Sequence, residues 1–402
     1  MKRRFENRHV LLGVTGSIAA YKACQVLRML QREGAEVRVA MTKAAQQFVG
    51  PLSFETLSGQ EVITDLFPSH RVVKTRHIHI AEWADCILIC PATANIIGKV
   101  ASGIADDFLT TAVMAARSPV IFVPAMDDRM VHNPIYLSNC EKLVALGYQF
   151  VSPEEGALAS GAEGAGRLAD YPRIMNSVKS ALLGSDRLKG VKLLVTAGPT
   201  REFLDPVRYL SNQSSGKMGY ALAEEAVLRH AEVTLVSGPT DLVPFEGIRV
   251  KKVQTAEEMA RVVKEEWKRH QVLIMAAAVA DFRPVKKSDQ KIKKGPSKWT
   301  LELEQTEDIL SAIAQSKKKG IVVGFALETE AGEVRAAQKL VDKQLDFICL
   351  NNPLEKGSGF GEDTNKVTLI DREKKVESYP VMEKWEVAGK ILDRVGKLLG
   401  RK

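Results

Sequence analysis

Two stretches of the chain place small and hydroxyl-bearing residues where an apolar strand hands over to a helix. The first is Val10 to Lys22, VLLGVTGSIAAYK, and the second is Leu193 to Gly219, LLVTAGPTREFLDPVRYLSNQSSGKMG. Free backbone N–H groups at a helix N-terminus attract phosphate. Gly16 and Ser17 therefore suit a phosphate ligand, although the same residues also suit a plain tight turn. GVTGSIAAYK has too few glycines for the GxGxxG dinucleotide fingerprint. SSGKMG is no Walker loop either, because Ser211 stands at the first glycine of GxxxxGK and Met218 at its Ser/Thr. Two unlike loops in one chain point to two chemistries.

Three further features carry ionisable groups. His77, in RHIHIAEWAD, suits a general acid/base or a polar residue entering a helix. Asp281, in AAAVADFRPV, follows an apolar run, as metal- or ribose-binding carboxylates do and as helix caps also do. Lys286, Lys287, Lys291, Lys293 and Lys294 form either a solvated loop or a basic loop that neutralises a polyphosphate.

The elements that must position these groups follow from apolar runs. Strands are expected at Val10–Val14, Glu36–Met41, Cys86–Cys90 and Val120–Val123, with a helix over Ala19–Glu33 and a mostly helical Ile97–Ala116. After Tyr171 the pattern turns helical and then polar, which puts a boundary at 189/190. A second set follows: strands Lys192–Thr196, Glu232–Ser237, Val272–Met275, Val322–Phe325 and Phe347–Leu350, a helix Met218–Arg229, and a possible edge strand Val367–Asp371. GAEVRVAMT and HAEVTLVSG sit at equivalent places in the two halves. Near-continuous apolar strands between amphipathic helices predict an α/β chain of two Rossmann-like three-layer domains with mainly parallel sheets. Ligands of such sheets bind at the carboxyl ends of the strands. In the first half those ends carry GVTGSIA, MTKAA, CPATAN and PAMDDRM, which together could make one pocket.

Composition supports this frame. At 402 residues two domains are the natural expectation, and 45% hydrophobic with 26% charged residues is ordinary for a globular chain. The net charge of +8 suits anionic small molecules, and no zinc spacing or RNA-recognition signature accompanies it. No run reaches about 18 apolar residues, so a membrane span is not expected. The five cysteines, Cys24, Cys86, Cys90, Cys140 and Cys349, form no CxxC pair, and a cytoplasmic location is expected.

Taken together, the motifs resemble the bacterial bifunctional enzymes of coenzyme A biosynthesis that fuse phosphopantothenoylcysteine decarboxylase to phosphopantothenate–cysteine ligase. The N-terminal motifs are GVTGSIAAYK, HIHIAEWAD, CPATANIIGKVASGIADDFLTT, PAMDDRM and GALASGAEGAGRL. The C-terminal ones are TAGPTREFLDPVRYLSNQSSGKMG, AAAVADFRP, KIKK, VGFALETE and the residues Asn351, Phe360 and Asn365. The resemblance spans nearly the whole chain, and its specificity lies in the joint order of the motifs.

The resemblance implies a flavodoxin-like domain over residues 1–189 that binds FMN and decarboxylates 4′-phosphopantothenoyl-L-cysteine to 4′-phosphopantetheine. The flavin supplies an electron sink by first oxidising the thiol carbon. Gly16, Ser17, Thr42, Thr93 and Ala105 would lie near the flavin, with His77 the active-site histidine. Residues 190–402 would form the nucleotide-binding ligase domain, activating 4′-phosphopantothenate with CTP and Mg2+ as an acyl-cytidylate that the cysteine amine attacks. There Asn212 would hold the acyl-cytidylate and Lys291 would neutralise the phosphates. Met275, Ala276, Ala277, Asp281, Thr306, Glu307, Asp308, Ile309, Phe325, Lys339 and Lys343 would complete the CTP pocket, with Asp281 also the metal-site carboxylate. The resemblance further implies a trimeric flavin domain and a dimeric ligase domain, hence a dodecamer.

Two positions depart from the family. PAMN reads PAMD here, placing Asp127 where an amide meets the substrate carboxylate; it is then either protonated, and a candidate acid, or paired with Arg129 or another cation. The flap's ACG reads Ala159-Ser160-Gly161, replacing a thiol acid by a hydroxyl, with Ser160 orienting a water or a nearby acid. These departures leave open an active ligase fused to a flavin domain that only scaffolds or that releases another product. A flavin- and nucleotide-binding regulator without turnover is the reading from a different class.

Overall fold

The computed structural model describes residues 2–67, 75–159, 161, 163–293, 299–316, 319–328, 332–352, 354–355, 357–359 and 361–401. Ser160, Lys294 and Phe360 lie outside the described residues. The chain divides into two compact units, Lys2–Gly184 and Ser185–Lys402.

In the first unit, β1 His9–Val14, β2 Glu36–Met41, β3 Cys86–Ala92, β4 Val120–Pro124 and β5 Gln149–Phe150 align in the order β2-β1-β3-β4-β5, every pairing parallel. This is the doubly wound flavodoxin-like order, whose ligand sites open where the winding reverses, here between β1 and β3. Every residue of β3 is buried, as the unbroken apolar run CILICPA requires of a strand covered on both faces. The helix Ala20–Arg32 turns Ala20, Ala23, Val26, Leu27 and Leu30 to that core. Each fully buried Val or Leu of such a stripe contributes about 1.5–3 kcal/mol.

The expected helix over Ile97–Ala116 is two helices, Ala94–Ala101 and Phe108–Ala115. Asp107 opens the second with a capping box, its Oδ1 accepting the Thr110 N–H at 2.8 Å while the Thr110 hydroxyl accepts the Asp107 N–H at 3.1 Å. That cap competes with helix continuation and wins. Beyond the sheet, β6 Glu154–Ala157 and β7 Glu163–Arg167 form an antiparallel hairpin.

The second unit contains β8 Lys192–Ala197, β9 Arg201–Phe203, β10 Tyr209–Ser211, β11 Glu232–Ser237, β12 Arg249–Lys252, β13 Val272–Met275, β14 Phe282–Pro284, β15 Leu303–Gln305, β16 Ile321–Leu327, β17 Phe347–Asn351, β18 Thr364–Asn365, β19 Thr368–Asp371, β20 Val376–Ser378 and β21 Met382–Glu383. Its main sheet runs β12-β11-β8-β13-β16-β17-β19-β20. The parallel strands thus follow the dinucleotide-fold order, third-second-first-fourth-fifth-sixth, and the winding reverses between β8 and β13. The motifs GAEVRVAMT and HAEVTLVSG both lie on the strand beside the first, as β2 and β11.

The expected edge strand at Val367–Asp371 is not an edge. β19 pairs antiparallel with β17 on one side and with β20 on the other, so β20 ends the sheet. β20 escapes sequence reading because it is three residues long and half-exposed.

The thiols of Cys86, Cys90 and Cys349 are fully buried among apolar side chains. Burial pushes those of Cys86 and Cys90 up to about 12, and that of Cys349 higher still. Burial also raises the thiols of Cys24 and Cys140. Among the described residues no helix is long and apolar enough to cross a membrane.

Candidate functional site

The second unit opens a cleft of about 950 Å³ at the carboxyl ends of β13, β16 and β17. Met275, Ala276, Ala277, Asp281, Thr306, Glu307, Asp308, Ile309, Phe325 and Lys339 all line it, as does Asn212. Local hydrogen bonds explain their placement. The buried Thr196 hydroxyl, at the end of β8, accepts the Ala277 N–H at 3.1 Å. Asn212 donates its amide to the carbonyls of Ala278 and Val279, at 3.1 and 3.2 Å. Thr306 donates its N–H to the Asp281 carbonyl at 2.9 Å and its hydroxyl to the Ala280 carbonyl at 2.6 Å. Asp281 leads into β14 and caps no helix, which leaves its carboxylate to the cleft.

Three lysines line the cleft. Lys339 donates to the Phe325 carbonyl at 3.0 Å, and burial lowers its pKa despite the nearby Asp308, Asp281 and Glu328. Lys384 is buried and donates to the Glu362 carbonyl; desolvation, then the charge of Lys217, lowers its pKa as well. Lys217 donates to the Gly361 carbonyl at 2.6 Å and to Asp363 at 2.7 Å. Lys217 and Lys384 are absent from the expected site. Lys217 opens the helix Lys217–Leu228 within the SSGKMG run, which is no Walker loop, and its partner Asp363 lies 146 residues away.

Two expected cleft residues lie outside the lining. Lys343 pairs with Asp308 and donates to the Ser311 hydroxyl at 2.7 Å, so it braces the cleft wall. Burial would raise the Asp308 carboxyl, but the Lys343 hydrogen bond and the Ser311 N–H outweigh it and hold the group low. Lys291 is exposed and is not among the lining residues. It adjoins Ile292, whose N–H donates to Asp205 Oδ2 at 3.1 Å and whose carbonyl accepts Arg208 Nη2 at 2.7 Å. Burial would raise the Asp205 carboxyl, but hydrogen bonds from the Arg208 guanidinium and the N–H groups of Val207, Ile292 and Arg208 hold it far below the usual range. Lys286 and Lys287 are exposed, as in a solvated loop.

Among the described residues no group of three or more His, Cys, Asp or Glu side chains is placed to hold a metal. Asp281 alone still fits magnesium, which binds through one or two carboxylates plus substrate phosphates and keeps several waters.

In the first unit the strand-end loops converge at the winding reversal. The Thr15 hydroxyl donates to the Pro91 carbonyl at 2.8 Å and accepts the Thr93 N–H at 3.0 Å. Ser17 donates its hydroxyl to the Ala125 carbonyl at 3.2 Å, and the Thr42 N–H reaches the Val14 carbonyl at 3.1 Å. A Cβ at Gly16 would stand 2.5 Å from the Ala44 Cβ, so only glycine fits that approach. At the start of the helix Ala20–Arg32 the N–H groups of Ala20 and Lys22 bond to the carbonyls of Ser17 and Ala19, at 2.9 and 3.0 Å, and the helix dipole favours an anion at that end. A cradle of small residues and hydroxyls facing a helix N-terminus fits FMN. Ala105 is exposed on the loop between the helices Ala94–Ala101 and Phe108–Ala115, its carbonyl accepting the Thr111 hydroxyl at 3.3 Å.

Beside this cradle lies a second cleft of about 350 Å³, lined by Ser17, Lys22, Asp127, Leu158, Ala159 and Arg167 among others. Thr42, Thr93, Ala105 and His77 are not among its lining residues. His77 lies half-buried in the first turn of the helix Arg76–Trp83. Asp127 Oδ1 accepts the Arg129 Nε at 3.0 Å and its N–H at 3.2 Å. Asp127 therefore pairs with Arg129. The β6–β7 hairpin docks on the same segment: the Ala165 N–H donates to Asp128 Oδ1 at 2.9 Å and the Met126 N–H to the Gly166 carbonyl at 3.0 Å.

A flavodoxin-like unit with an anion cradle, followed by a dinucleotide-fold unit with a lysine-lined cleft, defines a two-domain α/β enzyme of small anionic substrates. Comparison with known proteins names the family. A flavoprotein family model matches residues 1–183, and one for the C-terminal domain of DNA/pantothenate metabolism flavoproteins matches residues 188–399. The coenzyme A biosynthesis bifunctional protein CoaBC of Bacillus subtilis is 45% identical over 395 residues, 98% of this chain and 97% of its own. That of Borreliella burgdorferi is 41% identical over 391 residues, 96% of this chain and 98% of its own. A cysteine/cysteine sulfinic acid decarboxylase of an unknown prokaryotic organism is 41% identical over 353 residues, 86% of this chain and 98% of its own. The chain belongs to the family of coenzyme A biosynthesis bifunctional proteins CoaBC, and it is a bifunctional enzyme with ligase and decarboxylase activities.

Proposed function

We propose that the second unit uses CTP and Mg2+ to activate the carboxylate of 4′-phosphopantothenate as an acyl-cytidylate, which the amine of cysteine attacks. The first unit then decarboxylates 4′-phosphopantothenoyl-L-cysteine with FMN. The observation that carries this reading is the lysine-lined cleft of about 950 Å³ at the point where the winding reverses. Its volume suits a nucleotide, and its cations suit a polyphosphate. Activation is needed because a carboxylate is a poor electrophile.

In this reading the 275–281 segment contacts the nucleotide, Asp281 shares the magnesium with the phosphates, and Lys339 faces the phosphate charge. Asn212 holds the acyl-cytidylate, and Lys291 meets charge that develops on the phosphates. Gly16, Ser17, Thr42, Thr93 and Ala105 hold the flavin, which supplies the electron sink when bound. His77 handles protons at the substrate, and Asp127, countered by Arg129, faces its carboxylate. Ser160 takes the place of the family's thiol acid. The family resemblance also supports a homo-oligomer, trimeric through the flavin unit and dimeric through the ligase unit. The five unpaired cysteines fit a reducing cytoplasm.

Mass spectrometry of products from 4′-phosphopantothenate, cysteine, CTP and Mg2+ tests both halves. The expected product is 4′-phosphopantetheine. Accumulation of the acyl-cysteine alone would overturn the decarboxylase half, and absence of pyrophosphate would overturn the ligase half.

A further inference from the structure

The turn between β9 and β10 is built on one carboxylate that serves two segments. Asp205 is completely buried. Its Oδ1 accepts the N–H groups of Val207 and Arg208, both at 2.8 Å, which closes its own turn. Its Oδ2 accepts Arg208 Nε at 2.9 Å and Nη2 at 2.6 Å, and also the N–H of Ile292 at 3.1 Å, 87 residues further on. Arg208 Nη2 returns to the Ile292 carbonyl at 2.7 Å, so both backbone polar groups of Ile292 are held.

Two more contacts keep the register. The Ser288 N–H donates to the Leu204 carbonyl at 2.9 Å, and the Lys287 ammonium stands 5.4 Å from the centroid of the Phe203 ring. The other end of the hairpin runs into the cleft. Ser211 donates its hydroxyl to the Thr200 carbonyl at 2.7 Å, and Asn212 follows on the cleft wall. One hairpin thus carries a cleft residue at its end and the lysine segment on its turn.

We infer that Asp205 is a positioning residue for the ligase reaction: through Ile292 it fixes the backbone of Lys291 relative to Asn212. The inference rests on the reading of Lys291 given above. An exposed, lysine-rich segment has little apolar surface with which to order itself. A charge contact made in the transition state is worth most when it is already in place. The turn needs only the Oδ1 bonds; the Oδ2 bonds also hold a distant segment, which a turn by itself does not require.

Asp205→Asn separates the two roles. The amide keeps one oxygen for the turn N–H groups and presents its NH2 to the Ile292 N–H and the Arg208 guanidinium, where donors now meet donors. Ile292→Pro removes the same N–H without touching Asp205, and it serves if Asp205→Asn fails to fold. In the full-length protein, trypsin should cut after Lys291 and Lys293 about tenfold faster in Asp205→Asn, and after Lys293 about tenfold faster in Ile292→Pro, where Lys291 is followed by proline and trypsin does not cut. Pyrophosphate release should fall about tenfold or more in kcat, with KM for 4′-phosphopantothenate little changed. Added to Lys291→Gln, Asp205→Asn should bring no further loss, because both act through one contact. Trypsin cleavage at the wild-type rate, or losses that multiply in the double variant, would overturn the inference. Wild-type turnover by Lys291→Gln would instead overturn the role given to Lys291, while the trypsin result would still decide whether Asp205 holds the segment.

Discussion

The side-chain amide of Asn212 donates to the carbonyl of Ala278 at 3.1 Å, which ties the loop after β10 to the loop after β13 across the mouth of the ligase cleft. Asn212→Asp puts two acceptors against the carbonyls of Ala278 and Val279 and adds an anion beside the phosphates. Acyl-cytidylate formation, followed by rapid quench, should fall about 10²-fold or more. Asn212 is exposed, so the melting temperature should stay close to wild type. Normal ligation by this variant would show that the loop does not face the intermediate.

Lys339 sets an alkaline limit. Its pKa is lowered from the ordinary 10.5, chiefly by burial, and only its protonated form attracts phosphate. The cation is fully present below its own pKa and is lost as pH rises through it, earlier than an ordinary lysine would lose charge. KM for CTP should therefore climb on the alkaline side below pH 10.5, and Lys339→Arg should move that climb to higher pH. A KM that is flat across this range would remove Lys339 from the phosphate site.

In the flavin unit, His77→Asn should abolish CO2 release yet leave FMN bound, as judged by the visible spectrum. The cradle is built from the strand-end loops, whereas His77 sits on the helix Arg76–Trp83. Normal decarboxylation by the variant would exclude a proton-handling role.

Gly166 holds the β6–β7 hairpin down. Its φ is +134°, and a Cβ there would collide with the Met126 carbonyl. Gly166→Ala should lift the hairpin from the Met126–Asp128 segment and slow decarboxylation about tenfold or more. The ligase rate should be unchanged within about twofold, because its cleft belongs to a separate domain. An equal loss in both activities would point to a general folding defect.

The central parallel strands were legible because most are nearly continuous apolar runs, from HVLLGV in β1 to IVVGFAL in β16, whereas the parallel strands β5 and β12, QF and RVKK, carry no such signal. The ligase cleft was legible through the motifs that carry the family resemblance, which point to Asn212, Asp281 and Phe325, and all three line it. What escaped is short or distant. β9, β10, β14 and β15 have three residues each, too few to show alternation. Asp205 reads as a loop residue in LDPV, and nothing in that run announces Ile292. Lys217 and Lys384 both bond to the 361–363 segment, a relationship that no local pattern contains.

The buried thiols have a consequence for a ligase that, on the function proposed above, takes free cysteine. Thiol–disulfide exchange needs a thiolate, and the thiols of Cys86 and Cys90, pushed up to about 12, stay protonated at neutral pH. Cys349 is equally sealed, and Cys24 and Cys140 are shifted the same way. The thiols inside β3 and β17 are therefore closed to exchange with cystine, which is left to the half-buried Cys24 and Cys140.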